Sequence, residues 1–446
     1  MERELPESND IVMQPIPHVV RDFGVEARKA GKSWETAFNG PIHRWYDSRT
    51  DQVKYTVTVR LCRIKNPVTR ELFSTNLQFF LDESDMHGVH NVYDMATTFP
   101  FTRIQGPRTP VPICRPREGR LWYEPNLEGV IMEDVRQVPI TLDNGHPGFF
   151  VTGQGYRGKV MLPNGKFIHD VGVYGGLMDL TVFNQHIELK HLFGGIEFGV
   201  TRTGTLEDDF LAELGEGVWV RGIVGNAIHE LHVESFKNSV MLPSPGDGRT
   251  LIGARSMSET KLLYYFETHA TSGLEGYRMG GFIDGLDHAV GELVWDRVHR
   301  VGLGSNFIEL SELNGYVGFI HVVLDRNNAE RPDTFDPEYP DIEEQYEGWA
   351  VLLTYEGGRP VIKSCVRAIT PSDVPGNYEG LGDLFDTKRV AFPISVTREN
   401  DDILVAYGWG DRALFLSEFS LDTVVNALRE HQWQSDSQRT ELPAMS

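Results

Sequence analysis

The chain has 446 residues, of which 40% are hydrophobic and 24% are charged, a composition typical of a folded globular protein and not of a disordered one. Its formal net charge is -22 at pH 7, which repels nucleic-acid phosphates and anionic membranes, so we expect neither as a partner. An anionic small molecule would need a local cluster of Arg and Lys.

The cysteines and the N-terminal residues bear on the location of the protein. Cys62, Cys114 and Cys365 are odd in number and widely spaced, which indicates free thiols and predicts a reducing, cytoplasmic compartment. The first residues are acidic and interrupted by proline, unlike a secretory signal. No stretch approaches the length of an apolar membrane span, so the sequence predicts no transmembrane helix.

Short apolar runs bounded by Gly, Asn, Asp and Pro recur along the chain, which predicts many antiparallel strands and an all-β fold. Five stretches share one plan: a polar residue or proline, a short apolar strand, a turn, and a second apolar strand that ends near a polar side chain. In chain order they begin at Ala37, Glu133, Phe236, Gly304 and Val390. Near the end, Ser420 is expected to cap one short helix whose apolar face carries Leu421, Val424, Val425 and Leu428.

Five repeated hairpins predict a five-bladed β-propeller, because repeated β-units of this kind are typical of that architecture. A sandwich or barrel is the alternative, since such hairpins occur in any β-rich protein. We expect an N-terminal extension over residues 1–35, the propeller over 36–431 with an insertion within about 157–235, and a C-terminal tail over 432–446.

In a propeller the innermost strands follow the central axis, so polar groups at the same end of each hairpin converge on an axial pocket. The acidic candidates there are Glu133, Asp134, Glu309 and Asp411. The polar residues in corresponding places are Arg60, Arg136, Lys237, Arg255 and His321.

The five stretches are similar, in the same order, to the signature segments of glycoside hydrolase family 130, a family of β-mannoside phosphorylases and β-1,2-mannosidases. FNG at Phe38 resembles the family's FNP start, and EDVR at Glu133 resembles its EDPR segment, with Val135 where proline is usual. In the third stretch, FKNSVMLP resembles the family's KNAxLFP segment. In the fourth, GLGSNFIEL resembles GxGPPPIKT, and in the fifth, VAFPISV resembles VVFPxG. The ordered set is more specific than any one motif.

The resemblance implies that Asp134 is the general acid that protonates the glycosidic oxygen. Asn39 and Asp411 would hold the mannosyl unit, Arg60 and Arg136 would order the carboxylates, and Trp409 is a candidate for the pocket wall. Lys237 and Arg255 align with the two basic residues that hold phosphate in the phosphorylases, and His321 would lie near that anion. The alternative is that Asp134 is a residue at the start of a hairpin whose role is a salt bridge with Arg136.

Glu309 stands where the phosphorylase pattern has lysine. A carboxylate there would repel phosphate and could act as the general base of an inverting hydrolase. We therefore expect hydrolysis of β-linked oligomannosides with no metal or organic cofactor. The alternatives are phosphorolysis with inorganic phosphate as co-substrate, mannosyl transfer from an activated mannose, and a non-catalytic carbohydrate-binding propeller.

Two further expectations concern metals and association. HELH at His229 has its second histidine one residue too early for the helical zinc motif, so no metal site is expected. In relatives a terminal extension often mediates association of subunits, so the resemblance raises a homo-oligomer as the alternative to a monomer.

Overall fold

The protein is described by a computed structural model, which covers residues 15–22, 36–38, 40–47, 51–66, 71–82, 91–94, 122–125, 131–161, 167–180, 190–193, 195–203, 210–214, 217–224, 227–234, 236–256, 261–270, 277–325, 344–373, 389–410 and 413–433. Over these residues the fold is mostly β, as the sequence predicts, with three α-helices and two 3-10 turns. None of the helices in these ranges is long and apolar enough to cross a membrane.

The strands of the N-terminal part are β1 (Val19–Asp22), β2 (Thr36–Phe38), β3 (Ile42–Asp47), β4 (Gln52–Asn66), β5 (Glu71–Asp82), β6 (Asn91–Asp94), β7 (Trp122–Pro125), β8 (Ile131–Thr141), β9 (Pro147–Met161), β10 (Phe167–Asp179) and β11 (Lys190–Phe193). They form two five-stranded sheets, one of β2 to β6 and one of β7 to β11, while β1 belongs elsewhere. These sheets contain the first and second predicted hairpins as β3–β4 and β8–β9.

The middle strands are β12 (Gly195–Thr203), β13 (Phe210–Leu214), β14 (Gly217–Val224), β15 (Ala227–Glu234), β16 (Phe236–Leu242), β17 (Thr250–Ser256), β18 (Leu263–Thr268) and β19 (Arg278–Phe282). They make two four-stranded sheets. The sheet of β12 to β15 falls inside the predicted insertion, and the sheet of β16 to β19 contains the third hairpin.

The C-terminal strands are β20 (Val298–Leu310), β21 (Gly315–Asp325), β22 (Glu344–Glu356), β23 (Arg359–Ile369), β24 (Arg389–Glu399), β25 (Asp402–Trp409) and β26 (Ala413–Ser420). Together with β1 they form an eight-stranded sheet. Its two halves, β20 to β23 and β24 to β26, are joined by a short parallel pairing of β22 with β24. β1 pairs with β26, so part of the expected N-terminal extension completes the last sheet.

The helices are short. α1 (Leu286–Val290) and α2 (Glu292–Trp295) precede β20, and α3 (Leu421–Glu430) follows β26. The predicted cap of α3 is confirmed, because the Ser420 side chain accepts a hydrogen bond from the Thr423 N–H. The predicted apolar face of α3 is buried as expected.

The hydrophobic core lies between successive sheets. Phe150 of β9 packs in one cluster with Phe236 of β16, and Leu242 of β16 in another with Val301 of β20. A third cluster packs the β20 to β23 half of the last sheet against its β24 to β26 half and α3. Burial of each large apolar side chain stabilises the fold by roughly 1.5–3 kcal/mol, so these face-to-face packings hold the sheets together.

The first strands of the five predicted hairpins also contact one another: β3 with β24, β24 with β20, β20 with β16, β16 with β8, and β8 with β4 of the first hairpin. Four of these strands carry a β-bulge, at Glu133/Arg136, Lys237/Val240, Leu303/Phe307 and Pro393/Ser395. A bulge interrupts the ladder and frees backbone groups for other partners.

Buried polar side chains fill these gaps. The Asn306 amide bonds the Val396 backbone N–H and carbonyl, both at 2.9 Å, and the Ser395 hydroxyl accepts from the Ile42 N–H at 2.8 Å. The Thr152 hydroxyl donates to the Ser239 carbonyl at 2.8 Å. The strands that bear the predicted site are therefore tied together by hydrogen bonds as well as by apolar packing.

Candidate functional site

Asp134 lies in the bulge of β8, where its backbone has a φ of 48°. A bulge with this conformation re-aims a side chain away from the regular alternation of the strand. The carboxylate is mostly buried; the Gln154 amide donates to Oδ2 at 3.0 Å, and Arg60 Nη1 lies 3.5 Å from Oδ1. The structure thus places two of the predicted residues, Asp134 and Arg60, together.

Arg136 is fully buried. Its Nε donates to the Gly304 carbonyl, its Nη1 donates to the Asp134 carbonyl, and its guanidinium lies 5.2 Å from the centroid of the Phe392 ring. Burial lowers the pKa of Arg136 to about 10, against the opposing field of Asp134. Arg136 therefore fixes the backbone beneath Asp134.

His321 is 2% exposed and lies opposite Gly302 in the β20–β21 pairing. Its ring centroid is 4.4 Å from that of Phe392 and 6.1 Å from that of Tyr346. A Cβ on Gly302 would lie 2.2 Å from His321 Cε1 and 2.9 Å from Asn238 Oδ1. Only glycine at 302 leaves room for the imidazole and the Asn238 amide side by side.

Three guanidinium groups act on this imidazole. Burial lowers the pKa of His321 well below its usual value, and Arg255, Arg136 and Arg300 lower it further, in that order. Arg255 is buried and donates through Nε to Asn238 Oδ1 at 3.4 Å. Arg300 lies 5.4 Å from the centroid of the Tyr346 ring. His321 is therefore neutral at neutral pH, in surroundings that favour an anion.

Lys237 is half-buried and lies directly opposite Arg255 in the β16–β17 pairing. Residues directly opposite each other in an antiparallel pair point to the same face of the sheet. The three residues predicted to hold phosphate, Lys237, Arg255 and His321, thus come from neighbouring strands around Asn238.

Glu309 is not placed with this group. It is exposed and lies opposite Tyr316, one residue before the end of β20 and next to the turn into β21. Gly304, whose carbonyl accepts a hydrogen bond from Arg136, is five residues further back along the strand. The prediction that Glu309 faces Asp134 as a base therefore finds no support in the fold, because the hairpin carries Glu309 away from the bulge.

Trp409 is half-buried, and its indole N–H donates to the Pro371 carbonyl at 2.9 Å. Its ring meets Phe415 edge-on with centroids 6.4 Å apart. Trp409 thus packs on the core of the last sheet. Asn39 and Asp411, the predicted mannosyl-binding pair, lie outside the described residues.

The HELH segment lies on β15, so its backbone is a strand and not the helix that the zinc motif requires. Within the described ranges no three His, Cys, Asp or Glu side chains are grouped as metal ligands.

The sequence interpretation missed Gln154, Asn238 and Arg300. Asn238 had a usable signal, since it occupies the same place in its hairpin as Asp134 in the second. Gln154 could have been found from its position opposite Glu133 in the β8–β9 pairing. Arg300 precedes the fourth segment, and nothing in its local sequence distinguishes it from a solvated arginine.

No protein-family model and no curated protein matches the chain. Solved structures do resemble it. One belongs to glycoside hydrolase family 130, described as mannoside phosphorylases that include hydrolases of β-1,2-mannosidic linkages in Candida mannan; it is 12% identical over 93% of this chain and 92% of its own, with a TM-score of 0.47. A glycosyl hydrolase from Bacteroides ovatus is 11% identical over 93% and 92%, with a TM-score of 0.45.

A β-1,2-mannobiose phosphorylase from Listeria innocua, in complex with β-1,2-mannobiose, is 12% identical over 95% of this chain and 98% of its own, with a TM-score of 0.35. At these values the likeness assigns no activity to this chain. The structural neighbours do include enzymes of glycoside hydrolase family 130, the family whose five segments the sequence resembles.

Proposed function

We propose that the protein cleaves β-mannosides with inorganic phosphate and releases mannose 1-phosphate. The observation that carries this proposal is the group of Arg136, Arg255 and Arg300 around a buried, neutral His321. In a chain with a net charge of -22, three guanidinium groups acting on one imidazole form a local site for an anion.

Arg136 also links this group to Asp134, because its Nη1 donates a hydrogen bond to the Asp134 carbonyl. In the proposed reaction a phosphate oxygen attacks the anomeric carbon while the glycosidic bond breaks. The leaving oxygen takes a proton from the Asp134 carboxyl, directly or through a sugar hydroxyl, and the phosphate proton is later released to restore that carboxyl. Attack opposite the leaving group inverts the anomeric configuration.

A closed five-bladed propeller is the fold that we propose to hold these groups. It is supported by the series of contacts among β3, β24, β20, β16 and β8, which returns to the first hairpin through β4, and by the β1–β26 pairing, which completes the last sheet with an N-terminal strand. The sheet of β12 to β15 would be an insertion into the second blade or between the second and third.

The mannoside specificity rests on the five sequence segments. The Listeria innocua neighbour is named a β-1,2-mannobiose phosphorylase, and its substrate is the first to try. Hydrolysis, which the Glu309 substitution suggests, is the rival activity within the same family. The exposed position of Glu309 and the cations around His321 favour phosphorolysis over it.

The test is incubation of the protein with β-1,2- and β-1,4-linked mannobiose, each with and without phosphate, followed by quantitation of mannose and mannose 1-phosphate. We expect mannose 1-phosphate only when phosphate is present. Free mannose in equal amounts with and without phosphate would establish hydrolysis instead. Sugar binding without turnover of either substrate would favour the non-catalytic alternative.

A further inference from the structure

We infer that His321 makes the anion site selective for an oxyanion that still carries a hydroxyl group, such as phosphate or arsenate, over one that carries none, such as sulfate. The inference rests on the proposed function, since it concerns the same site, and it adds a chemical rule for which tetrahedral anions the site accepts.

The imidazole of His321 is held in place by its neighbours. Its position is fixed by packing: Phe392 lies at 4.4 Å and Tyr346 at 6.1 Å, centroid to centroid, and Gly302 lies against its Cε1 edge. Nδ1 is buried and has no hydrogen-bond partner among the residues that the structure describes. A buried polar atom without a partner is costly, so a ligand that supplies one would gain affinity.

The imidazole and the guanidinium groups around it differ in the hydrogen bonds that they can make. A guanidinium only donates hydrogen bonds, whereas a neutral imidazole has one N–H donor and one acceptor lone pair. The charged groups that act on His321 come from three strands: Arg136 on β8, Arg255 on β17 and Arg300 on β20. All of them disfavour a second proton on the ring, so the acceptor lone pair is kept at neutral pH.

The tetrahedral anions differ in whether they carry a proton that they can donate. Monohydrogen phosphate has one hydroxyl and three unprotonated oxygens, which match one acceptor among several donors. Sulfate has the same shape and charge but no proton to donate. Bound at this site, sulfate would leave the imidazole lone pair unsatisfied, and an unsatisfied buried acceptor lowers affinity by about tenfold to a hundredfold.

The experiment is calorimetric titration of the full chain with phosphate, arsenate and sulfate at mildly alkaline pH and constant ionic strength, without sugar. We expect phosphate and arsenate to bind with similar affinity and sulfate about tenfold to a hundredfold more weakly. Equal affinities for phosphate and sulfate would overturn the inference while leaving an anion site in place. If none of the three anions bound, the phosphate site of the proposed function would fail as well.

Two variants distinguish the effect of the imidazole lone pair from a general disruption of the site. His321→Leu removes both ring nitrogens and is expected to lower phosphate affinity to the level of sulfate while leaving sulfate affinity within about twofold. His321→Gln retains a neutral acceptor and donor and is expected to restore part of the difference. If the folded His321→Leu variant kept the wild-type ratio of phosphate affinity to sulfate affinity, the inference would be contradicted. If that variant did not fold, the ratio measured for the wild-type protein would decide the question.

Discussion

Asp134 and Asn238 occupy the same position in two contacting strands: each lies within the bulge of its hairpin, and each has a left-handed backbone, with φ of 48° and 55°. The other non-glycine residues of positive φ in the described ranges, Asp51, Asn314 and Asn400, lie in hairpin turns. Asp and Asn tolerate this conformation better than other residues. Both bulges direct a short polar side chain toward the site.

The role of Asp134 is tested by Asp134→Asn, which keeps the shape but removes the proton donor. We expect turnover of mannobiose to fall by about 100-fold or more, with the thermal unfolding midpoint little changed. The matched control is Asp143→Asn, an exposed aspartate in the turn of the same hairpin, which should retain full activity. A similar loss in both variants would show that the effect is structural.

The close approach at Gly302 predicts that Gly302→Ala displaces the His321 ring, because the new methyl group would lie 2.2 Å from Cε1. Phosphate affinity is expected to fall by about tenfold or more. At Gly253 a methyl would instead meet Leu303 Cδ1 at 2.4 Å, inside an apolar cluster. Gly253→Ala should lower stability by about 1–3 kcal/mol but leave phosphate affinity nearly unchanged in titrations of the folded protein.

Glu309 distinguishes the two activities. Because its side chain is exposed beside the β20–β21 turn, Glu309→Gln is expected to leave the rate of mannose 1-phosphate formation within about twofold of wild type. Loss of all product in this variant, with Glu312→Gln in the same turn as an active control, would restore Glu309 to the chemistry and favour hydrolysis.

His43 predicts a loss of stability in acid. It is 1% exposed and packs on Phe149 with ring centroids 5.0 Å apart; burial lowers its pKa from 6.5 to about 3, with the Gln137 backbone opposing. Above pH 6.5 the ring is neutral in both states and contributes no pH dependence. As the pH falls from 6.5 toward 3, His43 becomes protonated in the unfolded chain but stays neutral in the folded protein. The free energy of unfolding therefore falls.

The expected slope from this group is about 1.4 kcal/mol per pH unit, on top of the carboxylates. Denaturant midpoints between those pH values should show a smaller slope in His43→Gln, while His269→Gln, at an exposed position, should keep the wild-type slope. Identical slopes in all three proteins would mean that His43 is accessible to protons in the folded state.

The cap of α3 gives a prediction about stability alone. Ser420→Ala removes the acceptor of the Thr423 N–H and should cost about 1 kcal/mol, measured as a shift in the denaturant midpoint. Ser420→Asp keeps an acceptor and should lose much less. Activity should not change in either variant, because α3 packs against the apolar core of the last sheet, with residues such as Phe419.

The sequence was sufficient for the strands, the five hairpins and the α3 cap, because alternating apolar residues and a capping serine are local signals. It also singled out Asp134, Arg60, Arg136, Arg255 and His321 as candidates, and the structure brings these residues to one region. What these residues share is a fixed position at the start of a hairpin or opposite it, and such positions follow from the repeat itself.

The positions of Glu309 and Trp409 relative to Asp134 were harder to predict from sequence. Residues that are close in a sequence motif are not always close in space. Each residue along β20 advances about 3.3 Å toward the turn, so Glu309 lies away from the β8 bulge that contains Asp134. Trp409 is adjacent to a motif in sequence, yet its indole N–H is bonded to Pro371. That contact joins distant parts of the chain and leaves no local trace.

The pairing of β1 with β26 has a consequence for synthesis of the protein. Asp22 pairs with Phe415, so β1 leaves the ribosome long before β26 has been synthesised. Until β26 emerges, the edge of β1 that pairs with it has no partner strand. Closing so long a loop is slow, and the last sheet is completed only when nearly all of the chain has emerged. Until then, an unpaired strand edge of this kind can bind chaperones or pair with the strands of other nascent chains.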